Sequence, residues 1–89
     1  MTGLAGLIAQ AQHCADLFRL GRDVEAGLLM VDWVTAVQPS VERLPDELQQ
    51  AWGNVLGLLL DCQERQNWLA LADYLQYEAV AVLQEGLSS

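Results

Sequence analysis

Pro39 and Pro45 are the only prolines in the chain, and they bracket a short polar stretch, "PSVERLP". On both sides of it apolar residues recur every three or four positions, which is the period of a helix face and not the alternation of a strand. A helix reaching Pro39 is expected to end there, because the proline ring disfavours helical geometry at the residue before it. Few folds satisfy this pattern: helical segments, short connections, and one marked boundary near the middle.

Before that boundary a first helix is expected from about Leu4 to Leu20, with Leu4, Leu7, Ile8, Ala11, Ala15 and Phe18 inward. Gly21 suits the left-handed residue that follows a helix end. Asp23 is expected to cap a second helix with Val24, Leu28, Val31 and Val34 on its inner face. Past the boundary, Pro45, Asp46 and Glu47 suit the first turn of a third helix, whose stripe is Leu48, Trp52, Val55, Leu59 and Cys62. The pattern lapses at residues 63–66. Asn67 then suits the cap of a fourth helix running to about Glu85, with Gly86 as its stop. Residues 63–67 contain no Gly or Pro, so helices three and four could equally be one bent helix.

The two halves echo each other. Leu4, Ile8, Ala11, Ala15 and Phe18 recur 44 positions later as Leu48, Trp52, Val55, Leu59 and Cys62, and Leu28 and Val31 correspond to Ala72 and Leu75. The expectation is a single all-α domain over residues 1–89: hairpin 3–38, linker 39–45, hairpin 46–86. Short connections make neighbouring helices antiparallel, hence a four-helix bundle or a short helical-repeat array.

Apolar residues make up 53% of the chain and charged ones 18%, against roughly 45–50% and about 25% in ordinary domains. Interior positions are few in a chain of 89 residues, so part of this apolar surface is expected outside, where it invites association. Twelve acids against four arginines give a net charge of −8, which repels phosphate backbones and anionic lipid. Neither nucleic acid nor membrane is an expected partner. The longest apolar run, Val55 to Leu60, is far short of the ~20 residues of a membrane span. Cys14 and Cys62 have no CxxC partner and Met1–Leu4 carries no basic leader, so the expectation is a cytosolic protein with reduced thiols.

Residues capable of chemistry do not converge. His13 is the only histidine, and with Asp16 it makes at best an incomplete metal site. Its neighbour Cys14 points about 100° away around the helix, so the two do not form a nucleophile–base pair. "GLAGL" lacks the strand and the GK[ST] of a phosphate loop. Asp73 and Glu78, five apart, are expected on different faces, where they cannot share the pocket that paired carboxylates need. No cofactor, no metal and no enzymatic activity are expected. Gly53 and Gly57 form a groove on helix three, open either to a neighbouring helix of the same chain or to a partner.

Of the three tryptophans, Trp52 and Trp68 read as core. Trp33 reads as an exposed anchor, because helix two already has a full stripe without it. Trp33, Leu29, Met30 and Val37 then make a second apolar side, and a helix apolar on two sides is either central or an interface. In helix four, Asp73 and Tyr77, and Tyr74 and Glu78, are each four apart and read as a polar rim beside an apolar face. Trp68, Leu71, Ala72, Leu75, Ala79 and Val82 make that face, and Leu69, Tyr74, Val80 and Leu83 spread onto others. The expected partner contacts are Leu29, Met30, Trp33, Tyr74 and Tyr77.

"NWLALADYLQYE" resembles the C-terminal D-x-L-x-L-A-D-x-L-E-Y-E element of short helical proteins associated with bacterial flagellar or secretion genes. Small size, acidity and hairpin build are similar to flagellar and type III secretion chaperones. "LFRLGRDVEAGLLMVDWVTAVQP" resembles one tetratricopeptide hairpin at Phe18, Gly27, Val31, Val34 and Pro39; Gly21 falls one residue out of step, and Ala11, Cys14 and Ala15 replace consensus residues. These resemblances imply a bacterial, non-catalytic, protein-binding function. With more apolar surface on helices two and four than one small bundle needs, the expectation is an adaptor or chaperone that buries a partner's amphipathic helix there. The alternative expectation is a structural homodimer using the same surface on itself.

Overall fold

The turn after the first helix sets the first hairpin. In the computed structural model, which describes residues 3–88, helix α1 spans Leu4–Arg19 and closes on Leu20. Gly21 follows with φ 79°. Its N–H donates to the Phe18 carbonyl at 3.1 Å, and that of Arg22 donates to Leu17 at 3.0 Å. These two bonds satisfy carbonyls that a helix end leaves unpaired, and only a residue tolerating positive φ can make the turn. Helix α2 then starts at Asp23, with Arg22 as its cap and no side-chain capping bond. Asp23 is thus inside the first turn, where its charge favours the helix dipole, and not the capping residue.

Helix α2 spans Asp23–Val41 and runs through Pro39. The expected linker, residues 39–45, shrinks to residues 42–45. Pro39 lies in the last turn, where it removes one backbone donor, and Thr35 turns its hydroxyl back to donate to the Val31 carbonyl at 3.0 Å. Continuing the helix also brings Val41 and Leu44 into the core, which repays the missing bond. The Gln49 side chain donates to the Glu42 and Leu44 carbonyls at 3.2 and 2.8 Å and ties the connection to helix α3.

Helix α3, Asp46–Glu64, is capped by Pro45 and carries Asp46 and Glu47 in its first turn. It ends in a second copy of the same turn. Gln66 occupies the left-handed position with φ 57°, its N–H donates to Gln63 at 3.1 Å, and Asn67 N–H donates to Cys62 at 2.9 Å. Helices three and four are therefore separate. The Asn67 side chain accepts from Ala70 N–H at 3.4 Å, as its capping position requires.

The turns are 45 positions apart, Gly21 with Gln66 and Arg22 with Asn67. The same offset relates inward residues of the second helices: Ala26 with Leu71, Met30 with Leu75, Val37 with Val82. The 44-residue register holds for the stripes of α1 and α3, but it pairs exposed Leu28 and Val31 with buried Ala72 and Leu75.

The fourth arm is continuous but not uniform: α4 spans Trp68–Asp73, a π-helical turn spans Tyr74–Ala79, and α5 spans Val80–Ser88. The wider π turn shifts later residues by about one position around the axis. Val80 joins Ala79, Val82 and Leu83 on the inner side, where a straight helix would have turned it away, and Tyr77 and Glu78 stay outside. Gly86 is not the stop. The helix passes through it, and a Cβ there would lie 2.6 Å from Leu44 Cδ2, so glycine permits a close approach to the connection between α2 and α3.

This is an all-α bundle, and its packing is unequal. Helix α1 and the fourth arm form the central pair; α2 rests chiefly on α1, and α3 chiefly on the fourth arm, meeting α2 over a small area. One cluster of buried side chains runs through all four arms. No described helix is long and apolar enough to cross a membrane.

Candidate functional site

The inner face of α2 consists of Ala26, Met30, Trp33, Val37 and Val41. Trp33 is 2% exposed and Met30 1%. The indole Nε1 of Trp33 donates to the Leu7 carbonyl at 2.8 Å, and its ring meets Trp52 edge-on at 5.5 Å and 63°. Trp33 is a core pin between α2 and α1 and not the exposed anchor expected of it, and Met30 is likewise interior. A buried indole needs a partner for its N–H, and a carbonyl of α1 supplies it here. Trp52 is buried, and its Nε1 has no hydrogen-bond partner among the described residues.

With that face turned inward, the other apolar stripe faces solvent. Val24, Leu28 and Val31 are 76%, 68% and 56% exposed, although their spacing reads equally well as a core face. Leu29 lies at the margin, half-buried against the core. Glu25 precedes Leu28 by three positions and Asp32 follows it by four, so both acids flank the exposed stripe on the helix surface. Those acids are the signal in the sequence that distinguishes the two faces: carboxylates avoid the side that is buried. Thr35 continues the stripe one turn beyond Val31 and is exposed.

Tyr74 and Tyr77 belong to the π turn. Tyr74 is half-buried against the core, and Tyr77 is 61% exposed. The five expected contacts therefore do not form one surface: two are interior, two are marginal, and Tyr77 alone is open. The i,i+4 pairing of Asp73 with Tyr77 also gives way. Arg19, the last residue of α1, donates to Asp73 Oδ1 at 2.8 Å and to Gln76 Oε1. With Phe18 stacked on Trp68 at 5.6 Å and 12°, this clamp fixes the end of α1 against the start of the fourth arm.

The thiols are free and buried. Cys14 Sγ–H donates to the Ala26 carbonyl at 3.3 Å, and burial pushes its pKa from the ordinary 9.0 to about 11. Burial, with the Asp61 charge adding to it and Arg65 opposing it, also raises that of Cys62. His13 is exposed. Among the described residues no polar or charged residue is buried, and no three His, Cys, Asp or Glu side chains are grouped as metal ligands.

Gly53 and Gly57 are exposed, and a Cβ added at either would meet open space. They serve no packing within the chain. With half-buried Leu56 and exposed Leu60 they recur at i, i+3, i+4 and i+7 on the side of α3 away from its core residues Trp52, Val55, Leu59 and Cys62.

The class these features define is a small acidic all-α bundle with apolar residues on the outer faces of both peripheral helices. Comparison with models of protein families, with curated proteins and with solved structures finds no match.

Proposed function

We propose that this protein is a non-catalytic adaptor or chaperone that lays a partner's amphipathic helix along the outer face of α2. One observation carries the reading: Val24, Leu28 and Val31 stay exposed on a helix whose opposite face is fully used by the core. A helix apolar on two sides is central or is an interface, and α2 is peripheral. A partner helix buries its own stripe against these residues, and basic side chains at its flanks meet Asp32 and displace Arg22 from its long, exposed 3.5 Å contact with Glu25. Leu29 borders the contact, while Met30 and Trp33 hold the helix from behind. The acidic exterior keeps the loaded protein dispersed. The resemblance to bacterial flagellar and type III secretion chaperones supports the same reading, and two unpaired cysteines favour a reducing compartment such as the cytoplasm.

The probe is a pair of fluorescent amphipathic peptides with one leucine stripe, flanked by lysines in one and by glutamates in the other. The lysine peptide binds several-fold more tightly by anisotropy, and Leu28→Glu abolishes binding with the thermal midpoint unchanged. Equal affinity for both peptides, or full binding by the Leu28→Glu variant, overturns the proposal.

A further inference from the structure

The outer face of α3 differs from that of α2 in one respect that decides what covers it. Between Glu47 and Asp61 the chain carries no charged residue on any side of the helix. The other such stretch, Leu4–Ala15, belongs to the central helix α1 and exposes no large apolar side chain; elsewhere acids are frequent, and the net charge is −8. Within this uncharged segment Leu60 is exposed, Leu56 is half-buried, and Gly53 and Gly57 open the backbone between them. The glycines alone would not define a contact. Their setting, an exposed leucine on a helix face without charge, is what a second acidic chain requires.

We propose that two copies of this chain associate through the face of α3 formed by Gly53, Leu56, Gly57 and Leu60. Two molecules of charge −8 repel each other, and a contact between them is tolerated where neither brings a carboxylate. A basic partner would gain nothing from this face, whereas α2 offers it Glu25 and Asp32. The contact is isologous, each copy offering the same patch. Gly53 and Gly57 lie on an i, i+4 row, so the packed helices cross at about −50°. At that crossing the ends of the two helices diverge, which separates Asp46, Glu47, Asp61 and Glu64 from their counterparts. A single crossed pair of helices falls at the low end of interface sizes, below about 1,200 Å². The dimer is therefore weak and reversible, in the micromolar range.

Sedimentation velocity of the full chain over a series of concentrations reads the monomer–dimer equilibrium. Leu60→Glu places two like charges in the contact and weakens the dimer by more than about tenfold. The pair Gly53→Ala and Gly57→Ala separates association from folding. Alanine is the better helix former at an exposed position, so each substitution raises the thermal midpoint of dilute protein by roughly 4–8 °C while it weakens the dimer. A chain that stays monomeric at several hundred micromolar overturns the proposal. So does a dimer unchanged by both sets of substitutions. Leu28→Glu leaves this equilibrium untouched; a dimer lost in Leu28→Glu and kept in Leu60→Glu moves self-association to α2, and that result also overturns the proposal.

Discussion

Gly21 and Gln66 make the same turn with different residues, and exchanging them tests whether the two hairpin corners are equivalent. Gln66 holds φ 57°, a conformation that costs an ordinary L-residue roughly 1–2 kcal/mol. Gln66→Gly removes that strain. It also gives the unfolded chain more freedom, which offsets about 0.4–1 kcal/mol of the gain. The net is a stabilisation of about 0.5–1 kcal/mol, or roughly 2–8 °C in the thermal midpoint of a domain this size. Gly21→Ala reverses the argument at φ 79° and lowers stability by about the same 0.5–1 kcal/mol. Urea unfolding followed by far-ultraviolet circular dichroism measures both, with an unchanged slope as the check that unfolding remains two-state. The double variant is expected to return close to the wild type, and any departure from additivity measures coupling between two corners that the Phe18–Trp68 stack brings to the same end of the bundle. A destabilised Gln66→Gly variant would refute the reasoning, since it would mean that residue 66 is not left-handed in the folded protein.

The two faces of α2 predict opposite outcomes for similar changes. Met30→Ala is expected to cost about 2–5 kcal/mol and Leu28→Ala less than about 0.5 kcal/mol, both by urea unfolding. Trp33→Phe forfeits the bond to the Leu7 carbonyl, whereas Trp52→Phe removes a buried donor with no partner among the described residues; the first is expected to be the costlier by about 1–3 kcal/mol. Cys14 has its folded pKa raised to about 11, so its contribution is fully present below pH 9 and is lost as pH rises from about 9 to about 11. Thermal midpoints across that window should fall further for the wild type than for Cys14→Ala, and equal slopes would count against a neutral buried thiol. Arg19→Ala releases a clamp that is half open to solvent, so it is expected to cost no more than about 1 kcal/mol and to cost less at high salt.

Much of the fold could be read from residue spacing. The α1 and α3 stripes, the glycine corner and the asparagine cap each rest on a local rule, and each local rule coincides with the tertiary packing. Three features could not be read that way, each for its own reason. Pro39 continues a helix because Val41 and Leu44, beyond it, have a core to enter, and that core belongs to other arms. Gln66 takes a position usually given to glycine, so residues 63–67 carry no turn signal. The π turn has no composition of its own. About one extra residue per turn lets Val80 face inward together with Ala79, Val82 and Leu83.

The misread face of α2 has the most consequence for function. Two stripes compete on that helix, and both satisfy a helical period, so periodicity cannot choose between them. The larger side chains, Trp33 and Met30, decide it, because burying them removes more apolar surface from water than burying Val24 and Leu28 would. Glu25 and Asp32 point the same way. Once the larger stripe is buried, the smaller one is left where a peripheral helix has nothing further to pack on. The exposed valines and leucine are thus the remainder of a choice the core makes, and Trp33 belongs to the cause of that surface and not to the surface itself. The same holds for α3, where Trp52, Val55 and Leu59 take the inner side and Leu60 is left outside beside two glycines. Peripheral position, apolar residues on both sides and the local charge together separate the two outer faces: acids beside α2 favour a basic helix, and their absence along the middle of α3 favours a second copy.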